Sequence, residues 1–231
     1  MLMTPTLQPF RCPPKSAQNG ASLIIVLLIL VVVSILGVGG AQIALMAERG
    51  SRNDRDMQMA WQAAEAALVD AELDLTTPAS GASSPARGAL FGMTFVGTPA
   101  RSVQSEKVDV NNFTAGCGTK TSVNAAGQPI WGLCSLPATG KPAWLTVNFT
   151  DSSSNATTVE FGTYTGRTFA AGALGAQPVQ APRYVIEAIQ DEGAASRDKT
   201  APEVNYVYRV TSMGFGPRQD IQAVVQMVYR N

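Results

Sequence analysis

The chain of 231 residues contains no histidine, and charged residues make up 15% of it, against about a quarter in an average soluble domain. The absence of histidine removes every Ser-His or Cys-His catalytic pair and every His-containing zinc site. An enzyme built here would need lysine or paired carboxylates, and no such cluster stands out. Glu160 and Glu187 fall in expected strands and read as exposed strand residues. The 17 Lys+Arg balance 17 Asp+Glu, so the basic stripe that nucleic acid requires is missing. No catalytic residue, cofactor, metal site or nucleic-acid partner is expected.

Charge is scarce partly because it is excluded from one place. Residues 21–47, ASLIIVLLILVVVSILGVGGAQIALMA, contain no Asp, Glu, Lys or Arg. As a helix this run is about 40 Å long at about 1.5 Å per residue, against a hydrocarbon core of about 30 Å. A secretory signal has an apolar stretch of only about 7–15 residues with its cleavage site after it. Here the run is longer, and the next residues carry charge: Glu48, Arg49, Arg52, Asp54, Arg55 and Asp56. A core helix apolar on all faces does not suit a small domain. Membrane lipid is the expected surrounding of 21–47. Lys and Arg flank the run on both sides and do not decide its orientation. The 20-residue N-terminal piece is small beside the C-terminal domain, so the C-terminus is expected outside the cytoplasm.

No proline interrupts 21–77, and alanine occupies 60, 63, 64, 66, 67 and 71, so helix propensity stays high. One helix is expected from about Ala21 to Leu75. In its second half, 48–75, Met57, Trp61, Ala64, Leu68, Ala71 and Leu75 recur at steps of four and three. That spacing predicts one apolar face, with Asp54, Gln58, Gln62, Glu65, Glu72 and Asp74 mostly off it. Met57, Trp61, Ala64, Leu68 and Leu75 are the expected face that packs on a head domain. Gly37, Gly39 and Gly40 each cost roughly 1 kcal/mol relative to alanine. They suit close helix packing in the membrane or a place where the helix can unwind.

Residues 76–105 hold 3 Pro, 4 Gly and 5 Ser among 30 and read as a linker or irregular connection. In 106–231, the runs 144–149, 158–164, 183–189, 204–212 and 221–229 are rich in β-branched and aromatic residues and are expected strands. In the last, Ile221, Ala223, Val225, Met227 and Tyr229 share one face, with Gln222 and Gln226 opposite. The expected fold is α+β: a long N-terminal helix, half in the membrane and half amphipathic, packed on an antiparallel sheet head. Three N-x-[ST] matches and the polar run 151–155 read as loop composition; the latter lacks the spaced acids of a calcium loop.

A polar leader ending at Gly20, followed by Ala21-Ser22-Leu23-Ile24-Ile25, resembles a type IV prepilin. The block 60–68, AWQAAEAAL, within MAERGSRNDRDMQMAWQAAEAALVDAE, resembles the PilX family of type IV pilus minor pilins over about residues 18–73. More loosely, so do RYVIE at 183–187, YRVTSMGFG at 208–216 and AVVQMVYR at 223–230. The resemblance implies a type IV pilin-like fold and a leader, 1–20, cut between Gly20 and Ala21 by prepilin peptidase. It also implies N-methylation of Ala21, an inner-membrane helix and a head in the periplasm before incorporation into the pilus. Implied partners are other minor pilins, the major pilin, the inner-membrane assembly platform and a large tip adhesin.

Most major pilins carry glutamate at the fifth mature residue, where this chain has Ile25. That departure suits a tip or initiating subunit; the alternative is that Ile25 is tolerated within the shaft. Cleavage after Gly20 would remove Cys12 and leave Cys117 and Cys134, 17 positions apart, as an expected disulfide. It would also leave a net charge of −2. A minor pseudopilin of type II secretion and a single-span periplasmic binding protein remain as alternatives, the second requiring Gly20–Ala21 to stay intact.

Overall fold

Alanine-rich sequence without proline makes the first element continuous: α1 runs Ala21–Thr76, 56 residues. The computed structural model describes residues 21–76, 87–96, 101–104, 108–137, 139–172, 176–191 and 206–230. The chain divides into two units, Met1–Ser51 and Arg52–Asn231. In the first, the helix is long and apolar enough to cross a membrane, and its side chains from Leu23 to Met46 are exposed apart from partly covered Gly39. An apolar surface of this kind on all faces requires a lipid or helical environment. In the second unit the remainder of α1 is half buried.

The second unit contains two sheets. β1 (Met93–Val96) and β2 (Arg101–Gln104) form an antiparallel pair. The main sheet has the order β3-β5-β6-β7, with β4 also pairing β5. Its strands are β3 (Leu133–Ser135), β4 (Val159–Glu160), β5 (Arg183–Gln190), β6 (Tyr206–Phe215) and β7 (Gln222–Tyr229). β5, β6 and β7 are successive antiparallel neighbours, as the aromatic and β-branched runs predict. β3 joins β5 in parallel, which makes the sheet mixed rather than a plain antiparallel meander. Its three residues are too few to show a period-2 pattern.

Three expectations require correction. Residues 144–149 form no strand: Ala143–Leu145 is a short 3-10 helix, and turns come after it. Only Val159–Glu160 of 158–164 is extended, because Gly162 at φ 79° turns the chain. The 76–105 stretch is not merely a connection. It holds a 3-10 helix at Gly88–Phe91 and the β1–β2 pair, and its Leu90 and Phe91 are buried in the main core.

That core lies between α1 and one face of the sheet. Ala67, Leu68, Ala71 and Leu75 meet Tyr184, Ile186, Tyr208 and Val210, with Phe91, Phe113, Trp131 and Leu133 closing it. Burying each large side chain stabilises by about 1.5–3 kcal/mol. Phe91 meets Tyr208 edge-on, with ring centroids 5.3 Å apart. A smaller cluster on the opposite face joins Cys117, Cys134, Ala143, Phe149, Val185 and Phe215.

Candidate functional site

The part of the molecule that carries its chemistry is the seam where residues 52–76 of α1 join the sheet. Ala60, Ala63, Ala64, Ala67 and Ala71 are at most 2% exposed. Small side chains let two backbones approach, and the sheet is built to match. A Cβ on Gly214 of β6 would collide with the backbone of Ala60 and Ala64. Beside it, the Ser212 hydroxyl donates to the Ala64 carbonyl at 2.8 Å. Alanine on the helix and Gly/Ser on the strand therefore form one contact, and larger residues on either side would separate it.

The expected packing face thus needs correction. Ala64, Leu68 and Leu75 are buried, but Met57 is 44% and Trp61 49% exposed. At 100° per residue the buried face is turned by roughly 70° from the apolar stripe, toward the alanines. The indole N–H of Trp61 donates to Glu65 at 2.6 Å, on the exposed flank. Burial tracks closeness of approach rather than side-chain size, and Gly214 sets that closeness.

The same face carries two buried carboxylates one helical turn apart, Asp70 and Asp74. Neither is visible in the apolar pattern, which places Asp74 off the stripe. Asp74 accepts from Arg87 at both oxygens, through Nε at 3.1 Å and through Nη2, and from the Tyr184 hydroxyl at 2.9 Å. Arg87 in turn donates to the Trp131 carbonyl at 2.5 Å and lies over the Tyr164 ring, 3.7 Å from its centroid. Burial opposes the Arg87 charge, but the Asp74 carboxylate outweighs it and the guanidinium's pKa is pushed up. Burial pushes the Tyr184 hydroxyl well above its ordinary value, and Asp74 adds to the shift.

Asp70 accepts from the Gly162 N–H at 2.7 Å and from the Thr165 hydroxyl, with Arg167 at 3.9 Å. Burial raises its pKa, while these hydrogen bonds and Arg167 offset part of the rise. Gly162 has a second role here, since a Cβ would strike the Arg167 carbonyl. Four segments, around residues 87, 131, 162 and 184, are therefore tied to one turn of helix. The signal that could have revealed this is two aspartates at i, i+4 in an alanine-rich helix, where a surface face usually places lysine or glutamate.

The remaining expected positions are scattered through the head and the helix. Cys117 and Cys134 are bonded to each other, with Cα atoms 4.0 Å apart, and Cys117 adopts φ 69°. Glu187 is not an exposed strand residue. It is fully buried, accepts from the Ala143 N–H at 3.0 Å and pairs with Arg209 at 2.9 Å. Gly20 lies outside the described residues, as does the side chain of Ala21, whose backbone opens α1. Ile25 is exposed within the uncharged run. Among the described residues no group of three His, Cys, Asp or Glu is arranged to hold a metal ion.

An apolar anchor helix that continues into a mixed-sheet head defines the architecture of a pilin. Two family descriptions match the chain: "Type IV pilus assembly protein PilX C-term" over residues 110–231 and "PilX N-terminal" over residues 19–69. The chain belongs to the PilX family of type IV pilus assembly proteins, and is a minor pilin, a structural subunit rather than an enzyme. No curated protein and no solved structure matches it significantly.

Proposed function

We propose that this minor pilin acts in the initiation of pilus assembly and belongs to the complex at the pilus tip. Prepilin peptidase cuts between Gly20 and Ala21, Ala21 is methylated, and the 21–47 half of the helix waits in the inner membrane with the head in the periplasm. From there the assembly platform moves the subunit into contact with other minor pilins, the major pilin and a large tip adhesin. The observation that carries this reading is Ile25. No carboxylate interrupts residues 21–47, and a carboxylate at membrane depth costs about 2.5–3.5 kcal/mol unless it has a partner. In the major pilins, which carry glutamate at this position, that partner is the N-terminal amine of an adjoining subunit. A subunit lacking the acid forms no such pair in one direction, which suits the end of a filament.

Two measurements test this. The membrane-bound protein should begin at N-methylated Ala21 only in cells that contain prepilin peptidase; an intact Gly20–Ala21 bond in both cells would overturn the processing. Immunogold labelling should mark pilus ends in wild-type cells, and Ile25→Glu should spread label into the shaft. Wild-type label distributed along shafts would overturn the tip assignment.

A further inference from the structure

We propose that β7 is an acceptor edge, to which an uncharged, extended segment of another pilus protein adds as a further strand. β7 ends the main sheet, and among the described residues nothing pairs with its free side. The hairpin fixes which groups face that side. Gly216 N–H donates to the Ile221 carbonyl, and register runs unbroken from Phe215↔Gln222 to Tyr208↔Tyr229. By the alternation of antiparallel pairing, residues 223, 225, 227 and 229 bond to β6. The N–H and C=O groups of Gln222, Val224, Gln226 and Val228 therefore point outward. The side chains of these same four residues lie on the sheet face away from α1, where Val224 is 42% and Val228 64% exposed.

Free edges are usually blunted by charge, proline or a bulge. β7 has none of these in eight residues. The charges nearest its ends are neutralised within the chain: Arg218 pairs with Asp220, and Arg230 with Asp191. Charge matching therefore selects an uncharged partner segment, held by main-chain hydrogen bonds and by pockets for alternate apolar side chains. A second copy fits poorly. Two-fold pairing of β7 edges is antiparallel and would set the two 52–76 helix segments antiparallel, and it alone would depend on the concentration of this chain.

The proposal rests on the pilus reading for the source of its partner, and its test is separate from pilus incorporation. Full-length protein is purified in detergent from cells making the other pilus proteins and from cells making it alone. Amide hydrogen exchange is then resolved residue by residue. Partner addition should slow exchange about tenfold or more at Val224, Gln226 and Val228, leaving Ala223, Val225 and Met227 as they were. Equal exchange in both preparations would overturn the proposal, as would slowing that grows with the concentration of the chain made alone, the sign of self-pairing. Val224→Pro removes one outward N–H and no bond to β6. It should leave the thermal transition within a few degrees and abolish the slowing, whereas Val225→Pro, which breaks a sheet bond, should unfold the head. Undiminished slowing in Val224→Pro would equally refute strand addition. Whether the protein reaches sheared pili is scored independently, so failure of the pilus reading is told apart from failure at this edge.

Discussion

Replacing Arg87 by methionine tests whether the helix is held by charge as well as by shape. Arg87 and Asp74 are both inaccessible to solvent, so among the described residues the substitution leaves a buried carboxylate with only the Tyr184 hydroxyl as donor, and it strips the Trp131 carbonyl of the Arg87 donor. Breaking a buried pair from one side costs about 3–5 kcal/mol, a large share of a total stability of about 5–15 kcal/mol. At about 2–4 °C per kcal/mol for a domain of this size, the midpoint should fall by about 6–20 °C. The assay is thermal unfolding of the full chain in detergent, monitored by near-UV circular dichroism. Asp74→Leu/Arg87→Met removes both charges and should cost less than the sum of its single variants by about 2 kcal/mol or more. The remaining loss would belong to the Tyr184 hydroxyl and the Trp131 carbonyl. A single-variant cost below about 1 kcal/mol, or strict additivity, would refute the account.

The same packing makes other substitutions informative. Gly214→Ala should lower stability by about 1–3 kcal/mol through overpacking, measured by urea unfolding, and a neutral result would show that the helix rides higher on the sheet than described. Cys117→Ser/Cys134→Ser should cost about 3 kcal/mol in the chain-entropy model, and the reduced wild type should melt with the double variant. Asp70 has a folded pKa raised above its ordinary value of 3.8, chiefly by burial. Its neutral form therefore favours folding, and its contribution is fully present below pH 3.8 and lost as pH rises through the folded pKa. Across that window wild-type stability should fall relative to Asp70→Asn as pH rises; a flat difference between the two would sink the assignment.

How far the sequence could be read depended on which physical rule was local. The anchor helix needed only composition and the absence of proline; β5 and β6 needed only runs of β-branched and aromatic residues, and β7 adds alternation. These rules act within a few neighbours. Periodicity points to a different helix face because it weighs Trp61 and Met57 above alanine, while the contact depends on Gly214, some 150 residues away. Asp70, Asp74 and Arg87 form their contacts with segments that lie elsewhere in the chain, so nothing near them announces burial. β3 lies parallel to β5 through a distant pairing and is too short to carry a pattern. Residues 144–149 show the reverse error: apolar content suited to a strand was used instead to cover the outer face of the sheet.

The seam between α1 and β6 also has a mechanical meaning. Residues 52–76 lie along the sheet and are held at several levels: the Ala60/Ala64 contact with Gly214, the Ser212 hydroxyl on Ala64, and the ties of Asp70 and Asp74 near the helix end. A pull along the helix axis therefore loads these attachments in shear, all at once, instead of peeling them one by one. Short side chains leave no slack to take up before the buried carboxylates bear tension. A subunit held in this way resists extraction of its helix until several bonds fail together.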